Sequence, residues 1–403
     1  MSTLQSFLET EKRREAEGLP ESKMQVSILG QTEVEKEREG SMRTTHKIIF
    51  GDSRKMEGVA DNSVDLTITS PPYPMIEMWD KMFSEQNPEI GSALNQKDGN
   101  KAFELMHQEL DKVWEETYRV LRNGGIACVN IGDATRTLNG TFQVYANHSR
   151  ILNHCLKLGF HALPHILWVK ETNKPNKFMG SGMMPPGAYV TLEHEYILIL
   201  RKDGKREFAT TEEKERRKKS AFFWEERNVW FSDKWNGIKG TLQNMNNAHL
   251  RERSAAYPFE LVYRLISMYS IQGDTVLDPF LGTGTSTLGA MATGRNSIGI
   301  EIDPNFKDSV EQGIKSIAHL SNNYTKQRLQ NHIEFVQKRE GEKGPLKYVN
   351  KHYGFPVITR QEIEMVLLSV QSINQTAERE FEVIHNRPSS SLVSTVKSPS
   401  FFA

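Results

Sequence analysis

Apolar residues in this chain gather in short runs that alternate with longer segments of helical period. Residues 64–69 (Val-Asp-Leu-Thr-Ile-Thr) alternate apolar and polar positions and read as a buried strand. The same reasoning predicts strands at 46–50, 126–131, 163–169, 196–200, 275–277 and 298–301. Between them, Phe103, Leu105, Met106, Leu110, Val113, Trp114, Tyr118, Val120 and Leu121 recur at helical spacing. Gly124-Gly125 is the expected stop of that helix. Further helices are expected at 145–158, closed by Gly159, at 257–269, before about 293, closed by Gly294, and near 362–369. Strands alternating with helices predict a doubly wound α/β fold, a mostly parallel sheet with helices on both faces. The pattern lapses over 201–253, where a charge run at 212–219 precedes Phe222, Phe223, Trp224, Trp230, Phe231 and Trp235.

The chain ends are of a different character. Residues 1–43 are charged and poor in aromatics, and Gly18-Leu19-Pro20 interrupts any helix, which predicts a mobile arm or loosely docked helix. Residues 323–403 form a mixed extension that closes on a low-complexity tail opening at Arg387-Pro388-Ser389-Ser390-Ser391. With 403 residues, two or three domains are expected. Lys and Arg number 51, as do Asp and Glu, so any nucleic-acid contact must come from local patches. No apolar run approaches membrane-spanning length, and Glu9, Lys12, Arg13 and Arg14 interrupt the opening residues, unlike a signal peptide. Cys128 and Cys155 make no metal spacing, which suits a reducing, cytoplasmic setting.

Two stretches carry chemistry. After the strand at 64–69 comes Ser70-Pro71-Pro72-Tyr73. Neither proline can donate to a sheet ladder, so the strand stops and the Ser70 and Pro71 carbonyls are held rigid beside an aromatic ring. Rigid acceptors next to a flat plate suit a planar molecule bearing an amino group. The plainer alternative is a Pro-Pro turn with a core tyrosine. The second stretch, Asp278-Pro279-Phe280-Leu281-Gly282-Thr283-Gly284-Thr285, lies between a strand and a helix, and Glu301 ends the next strand. Glycines there admit a ligand to the backbone, and an acid about 20 residues on is placed to grip ribose hydroxyls. No lysine follows the glycines and Thr287 takes the third glycine position, which disfavours a phosphate loop and a dinucleotide. Asp278 would repel pyrophosphate and attract a cation. A nucleoside with a positive centre and an amine fits, and S-adenosylmethionine is such a molecule.

With both stretches in view, the chain resembles the amino-group DNA methyltransferases. The resemblance rests on Thr69-Ser70-Pro71-Pro72-Tyr73, the 278–285 loop, Gly299-Ile300-Glu301-Ile302-Asp303 and Ala256-Tyr257-Pro258-Phe259-Glu260-Leu261-Val262. It spans about residues 46–318. The catalytic stretch precedes the cofactor loop, as in the circularly permuted beta group of that family, N4-cytosine type. The resemblance implies a seven-stranded sheet whose first three strands are 275–277, 298–301 and 46–50. It also implies a catalytic half at 44–200, a target recognition region at 201–253 and a cofactor-binding half at 254–322. Asp52 then falls where an acid meets the cofactor's adenine amine, and Asp52, Asp278, Phe280, Gly282, Gly284, Thr285 and Glu301 become the expected cofactor contacts. No metal is expected. The expected partners are double-stranded DNA and, in a restriction-modification system, a cognate endonuclease.

The chemistry implied is methylation of an exocyclic base amine. The amine's lone pair is delocalised, and acceptors at Ser70 and Pro71 would sharpen its nucleophilicity while Tyr73 stacks on a flipped base. Ring-carbon methylation would need a cysteine nucleophile, which Cys128 in a strand and Cys155 on a helix do not supply. Ser70, shorter than the aspartate or asparagine of adenine-modifying relatives, favours cytosine N4 over adenine N6. A silent DNA-binding subunit is the alternative of another class, and the intact Ser70–Tyr73 stretch argues against it. Lys214, Arg216, Arg217, Lys218 and Lys219 can serve DNA phosphates or a solvated helix face. The tryptophans are expected to form a small core, and His194, between Glu193 and Glu195, a structural position.

Overall fold

The structure is a computed structural model that describes residues 41–170, 179–238 and 257–388. Most of the expected arm, the later part of 201–253 and the serine-bearing tail lie outside these residues. Among the described residues the main sheet has ten strands: β1 (Met42–Phe50), β2 (Val64–Thr69), β3 (Leu121–Ile131), β4 (Phe160–Val169), β5 (His194–Lys202), β6 (Lys234–Trp235), β7 (Thr275–Asp278), β8 (Asn296–Glu301), β9 (Ser369–Ala377) and β10 (Glu380–Asn386). Their order is β6-β4-β5-β3-β2-β7-β8-β1-β10-β9. The seven expected strands lie side by side in the middle. Three more than expected extend the edges, the two-residue β6 on one side and the hairpin β9–β10 on the other.

Strands β3, β2, β7, β8 and β1 run parallel, and β5 runs against both β3 and β4. Alternation sorts the side chains of β3 into two layers. Ala127, Val129 and Ile131 face a core shared with α3 (Gly99–Val120) and α4 (Asn147–Leu158), while Ile126 and Cys128 face one shared with α7 (Phe259–Tyr269). Residues buried on both faces explain why β2 has no exposed position. Helix α4 ends as expected at Gly159, whose φ of +107° closes it.

Several expectations need correction. Gly124-Gly125 does not stop α3, because the chain passes directly from Val120 into β3. Gly124, at φ +77°, instead sits inside that strand at the register shift between β2 and β3. A Cβ there would come within 2.5 Å of the Arg206 backbone nitrogen, so the glycine is needed for a bulge against the 203–206 loop. No helix spans 362–369. A single 3-10 turn, Arg360–Glu362, leads through extended chain into β9. The boundary expected at 322/323 falls inside α9, a continuous helix over Lys307–Lys343.

The described part of the 201–253 region is woven into the sheet rather than set apart from it. It forms α5 (Thr211–Lys219), α6 (Trp224–Trp230) and β6. Trp230 and Trp235 are buried but in different clusters, and Trp224 is exposed against Phe335, so the three tryptophans do not make one small core. The basic run of α5 lies at the amino-terminal edge of the parallel strands. Arg206 just before it pairs with Asp65 and Asp274, which precede or open β2 and β7, and Ser220 just after it accepts from the Gln272 N–H at 2.8 Å.

Helix α6 is strapped to α9 by side chains. Arg328 forks onto Glu226 with both contacts at 2.6 Å, and His332 meets Glu225 at 2.7 Å. Glu226→Ala would leave the buried Arg328 cation without its partner, which should cost about 3–5 kcal/mol of stability. Urea denaturation should show the loss as a lower midpoint; an unchanged midpoint would mean the fork contributes nothing.

Candidate active site

All three expected acids arrive at the carboxyl edge of the parallel strands. Asp52 follows β1, Asp278 ends β7 and Glu301 ends β8. Strands β2 and β7 are neighbours, so Ser70-Pro71-Pro72-Tyr73 emerges beside the 278–285 loop although 208 residues separate Ser70 from Asp278. A cleft opens between them. Its wall includes Asp52, Ser70, Pro71, Pro72, Phe280, Gly282, Thr285 and Glu301. Helix α1 (Asp80–Gln86), which α2 (Pro88–Asn95) follows, closes one side with Met82, Phe83 and Gln86, and α3 contributes Glu109, Leu110 and Val113.

The glycine loop is shaped by backbone bonds. The Leu281 N–H donates to the Ile300 carbonyl at 2.9 Å and the Gly282 N–H to Glu301 Oε2 at 2.8 Å. Glu301 Oε1 accepts from the Asp303 N–H at 2.9 Å. Burial pushes the Glu301 carboxyl above its ordinary range, against the pull of these two amides. Gly284 precedes α8 (Thr285–Thr293) at φ +87° and packs its back against Val310. The Phe280 ring is set edge-on to Trp114 at 6.2 Å. Asp52 is gripped by Arg54 at 2.6–3.0 Å, and Arg54 reaches on to Glu109 at 2.5 Å. Burial opposes the Asp52 charge, but the Arg54 bonds outweigh it and hold the carboxyl below its ordinary range.

Asp278 is placed differently from its expected role. Its carboxylate points into the protein, 2% exposed, and does not line the cleft. It accepts from Thr69 Oγ1 at 2.7 Å, the Phe280 N–H at 3.0 Å, Tyr257 Oη at 3.0 Å and Ser286 Oγ at 2.5 Å. Those donors come from the end of β2, the glycine loop, the residues before α7 and the start of α8. Asp278 therefore ties the two stretches together from behind. Burial raises its pKa despite the four bonds.

On the other side of Ser70 lies a polar group that reasoning from the sequence missed. Tyr73 Oη donates to Glu195 Oε2 at 2.9 Å, and Asn130 Nδ2 donates to both Tyr73 Oη and Glu195 Oε2, at 3.0 and 2.7 Å. Lys170 pairs with the second Glu195 oxygen. Because the single hydroxyl proton of Tyr73 goes to Glu195, the 3.2 Å contact between Ser70 Oγ and Tyr73 Oη must have Ser70 as donor. The Ser70 oxygen is left with lone pairs at the wall of the cleft. The Tyr73 ring is half-buried and lies over Gly132, where a Cβ would come within 3.0 Å of Cε2. Asn130 interrupting the apolar run of β3 was the available signal, and Glu195 sat beside His194, whose ring packs edge-on to Tyr196 as a structural residue would. Cys128 and Cys155 are buried and burial pushes both thiols up, which leaves neither a ready thiolate.

Comparison with known proteins shows the family. A family model described as DNA methylase matches residues 64–312. The chain belongs to the DNA methylase family. It is 51% identical over 345 residues to the type II methyltransferase M.MthZI of Methanothermobacter thermautotrophicus, covering 85% of this chain and 96% of that one. The type II methyltransferase M.MjaI of Methanocaldococcus jannaschii is 52% identical over 282 residues, covering 67% and 91%. Among solved structures, a candidate DNA modification methylase from Thermus thermophilus, complexed with S-adenosyl-L-methionine, aligns with a TM-score of 0.53 and 31% identity over 68% of this chain and 96% of that one. In this DNA methylase the cleft and the Ser70–Tyr73 stretch both fall largely inside the region matched by the family model.

Asp278→Ala tests the tie between the two stretches. Each buried donor left unpaired should cost on the order of 1–3 kcal/mol, so the variant should unfold at clearly lower urea. A variant as stable as the parent would show that the donors find other partners.

Proposed function

We propose that the chain is a site-specific DNA methyltransferase that moves a methyl group from S-adenosylmethionine to the exocyclic N4 amine of a flipped cytosine in duplex DNA, as the modification enzyme of a restriction-modification system. The carrying observation is the Ser70 oxygen, held as an acceptor at the wall of a cleft that Gly282 and Glu301 also line. The cofactor's adenosine lies in that cleft, with Asp52 toward the adenine amine and Glu301 toward the ribose hydroxyls. Phe280, Gly282 and Thr285 shape the pocket and Gly284 sets its helix. Asp278 positions rather than contacts.

The target amine shares its hydrogens with Ser70 Oγ and the Pro71 carbonyl. Both draw its lone pair out of the ring, and the nitrogen attacks the sulfonium methyl in line. Tyr73 offers a face to the extruded base. A hydroxyl acceptor is shorter than a carboxylate or amide, so the base must slide further in, and a single ring does so more readily than a purine. The catalytic order, base site before cofactor loop, suits the permuted beta group. The methylated DNA is chromosomal, in a prokaryotic cytoplasm, and a cognate endonuclease would act on the same sequence. The 201–253 region sets the target sequence.

DNA treated with the purified protein and hydrolysed to nucleosides should yield N4-methylcytosine by mass spectrometry. N6-methyladenine alone would move the target to adenine, and no modified base would point to the silent subunit. Glu301→Ala should weaken S-adenosylmethionine by about tenfold or more, since a charged hydrogen-bonding partner contributes roughly 1.5–3 kcal/mol. Calorimetry returning an unchanged affinity would remove Glu301 from the site.

A further inference from the structure

We propose that Glu195 takes up the proton the target amine sheds on methylation, through the hydroxyls of Ser70 and Tyr73. The proposal rests on the reading of this site as an amine-methylating one. When the amine nitrogen attacks, the carbon–sulfur bond breaks and sulfur keeps the electron pair, becoming a neutral thioether. The nitrogen is left with the new methyl group and one proton too many. That proton passes to Ser70 Oγ, Ser70 gives its own to Tyr73 Oη, and Tyr73 gives its own to Glu195 Oε2. The carboxylate becomes a neutral acid, and both hydroxyls end as they began.

The hydrogen bonds already point this way. Ser70 to Tyr73 is 3.2 Å and Tyr73 to Glu195 is 2.9 Å, with each donor and acceptor fixed by the network. Asn130 holds the two acceptors in line through its amide. Burial and the Glu195 charge hold the Tyr73 phenol well above its ordinary range, so the protons shift together and no tyrosinate forms. Glu195 itself is 9% exposed, whereas the Lys170 side chain paired with it is 45% exposed, which provides a route from the acid to solvent. The cleft on the cofactor side has no such outlet through Asp52, whose charge is occupied by Arg54.

Single-turnover transfer of a labelled methyl group to unmodified plasmid DNA tests the relay. Glu195→Gln and Tyr73→Phe should each slow transfer by roughly a hundredfold, the scale of a lost general base. Cofactor affinity should stay unchanged, and both variants should remain folded at the assay temperature. The two substitutions break one path, so the double variant should be no slower than the slower single one. The solvent deuterium isotope effect of the parent should fall toward unity in both. Glu195→Asp, which keeps a carboxylate, should recover part of the rate lost in the glutamine variant. If Glu195→Gln does not fold, Tyr73→Phe and Glu195→Asp decide. A parent-like rate in any folded variant that breaks the path, effects that multiply in the double variant, or an unchanged isotope effect would overturn the relay alone. A parent protein that methylates no DNA would overturn the reading of the site and the relay with it.

Discussion

The site depends on one buried carboxylate. Asp278 accepts hydrogen bonds from Thr69, Phe280, Tyr257 and Ser286, and in doing so fixes two loops, the approach to α7 and the start of α8 against one another. Burying an ionised carboxylate is costly, and only a full set of short, charge-assisted bonds offsets it. The arrangement is possible because β2 and β7 are adjacent and parallel, so distant stretches of sequence end their strands at the same edge. A carboxylate committed to four donors is poorly placed to bind anything else, which is why it supports the cleft from behind.

Around that support the polar groups divide into two sets. On one side, Asp52, Arg54, Glu109 and Lys112 form a charge group, and each Glu301 oxygen accepts from one backbone amide. On the other, Ser70, Tyr73 and Glu195 form a directed hydrogen-bond chain that Asn130 and Lys170 hold in place. The first set is static and shapes a pocket. The second has the one feature that proton movement requires, an unbroken sequence of hydroxyls ending in a base.

What could be read from the sequence was what has a short period. The seven central strands were legible because each is a brief apolar run with glycine or proline near its end. Helix α9 was not, because its buried face includes Ser321, Thr325, Arg328 and His332, and these polar residues hide the helical period. The hairpin β9–β10 was missed for a related reason, since one strand, 369–377, has a largely exposed and polar surface. Ser70, Asp52 and Glu301 could be expected on one cleft because strand ends announce themselves. Glu195 and Asn130 could not be assigned, because their importance lies in contacts across β3 and β5 that only the folded sheet creates. The enclosure of Asp278 could not be read, since a sequence shows a charge and not the donors around it.

The most direct test of the account is the position of the cofactor's sulfur. A crystal structure of the protein with S-adenosylhomocysteine should place the adenosine between Asp52 and Glu301 and turn the sulfur toward Ser70 and Pro71. A sulfur facing Gln86 on α1, away from Ser70, would contradict the account, because no amine held at Ser70 could then reach the methyl group in line.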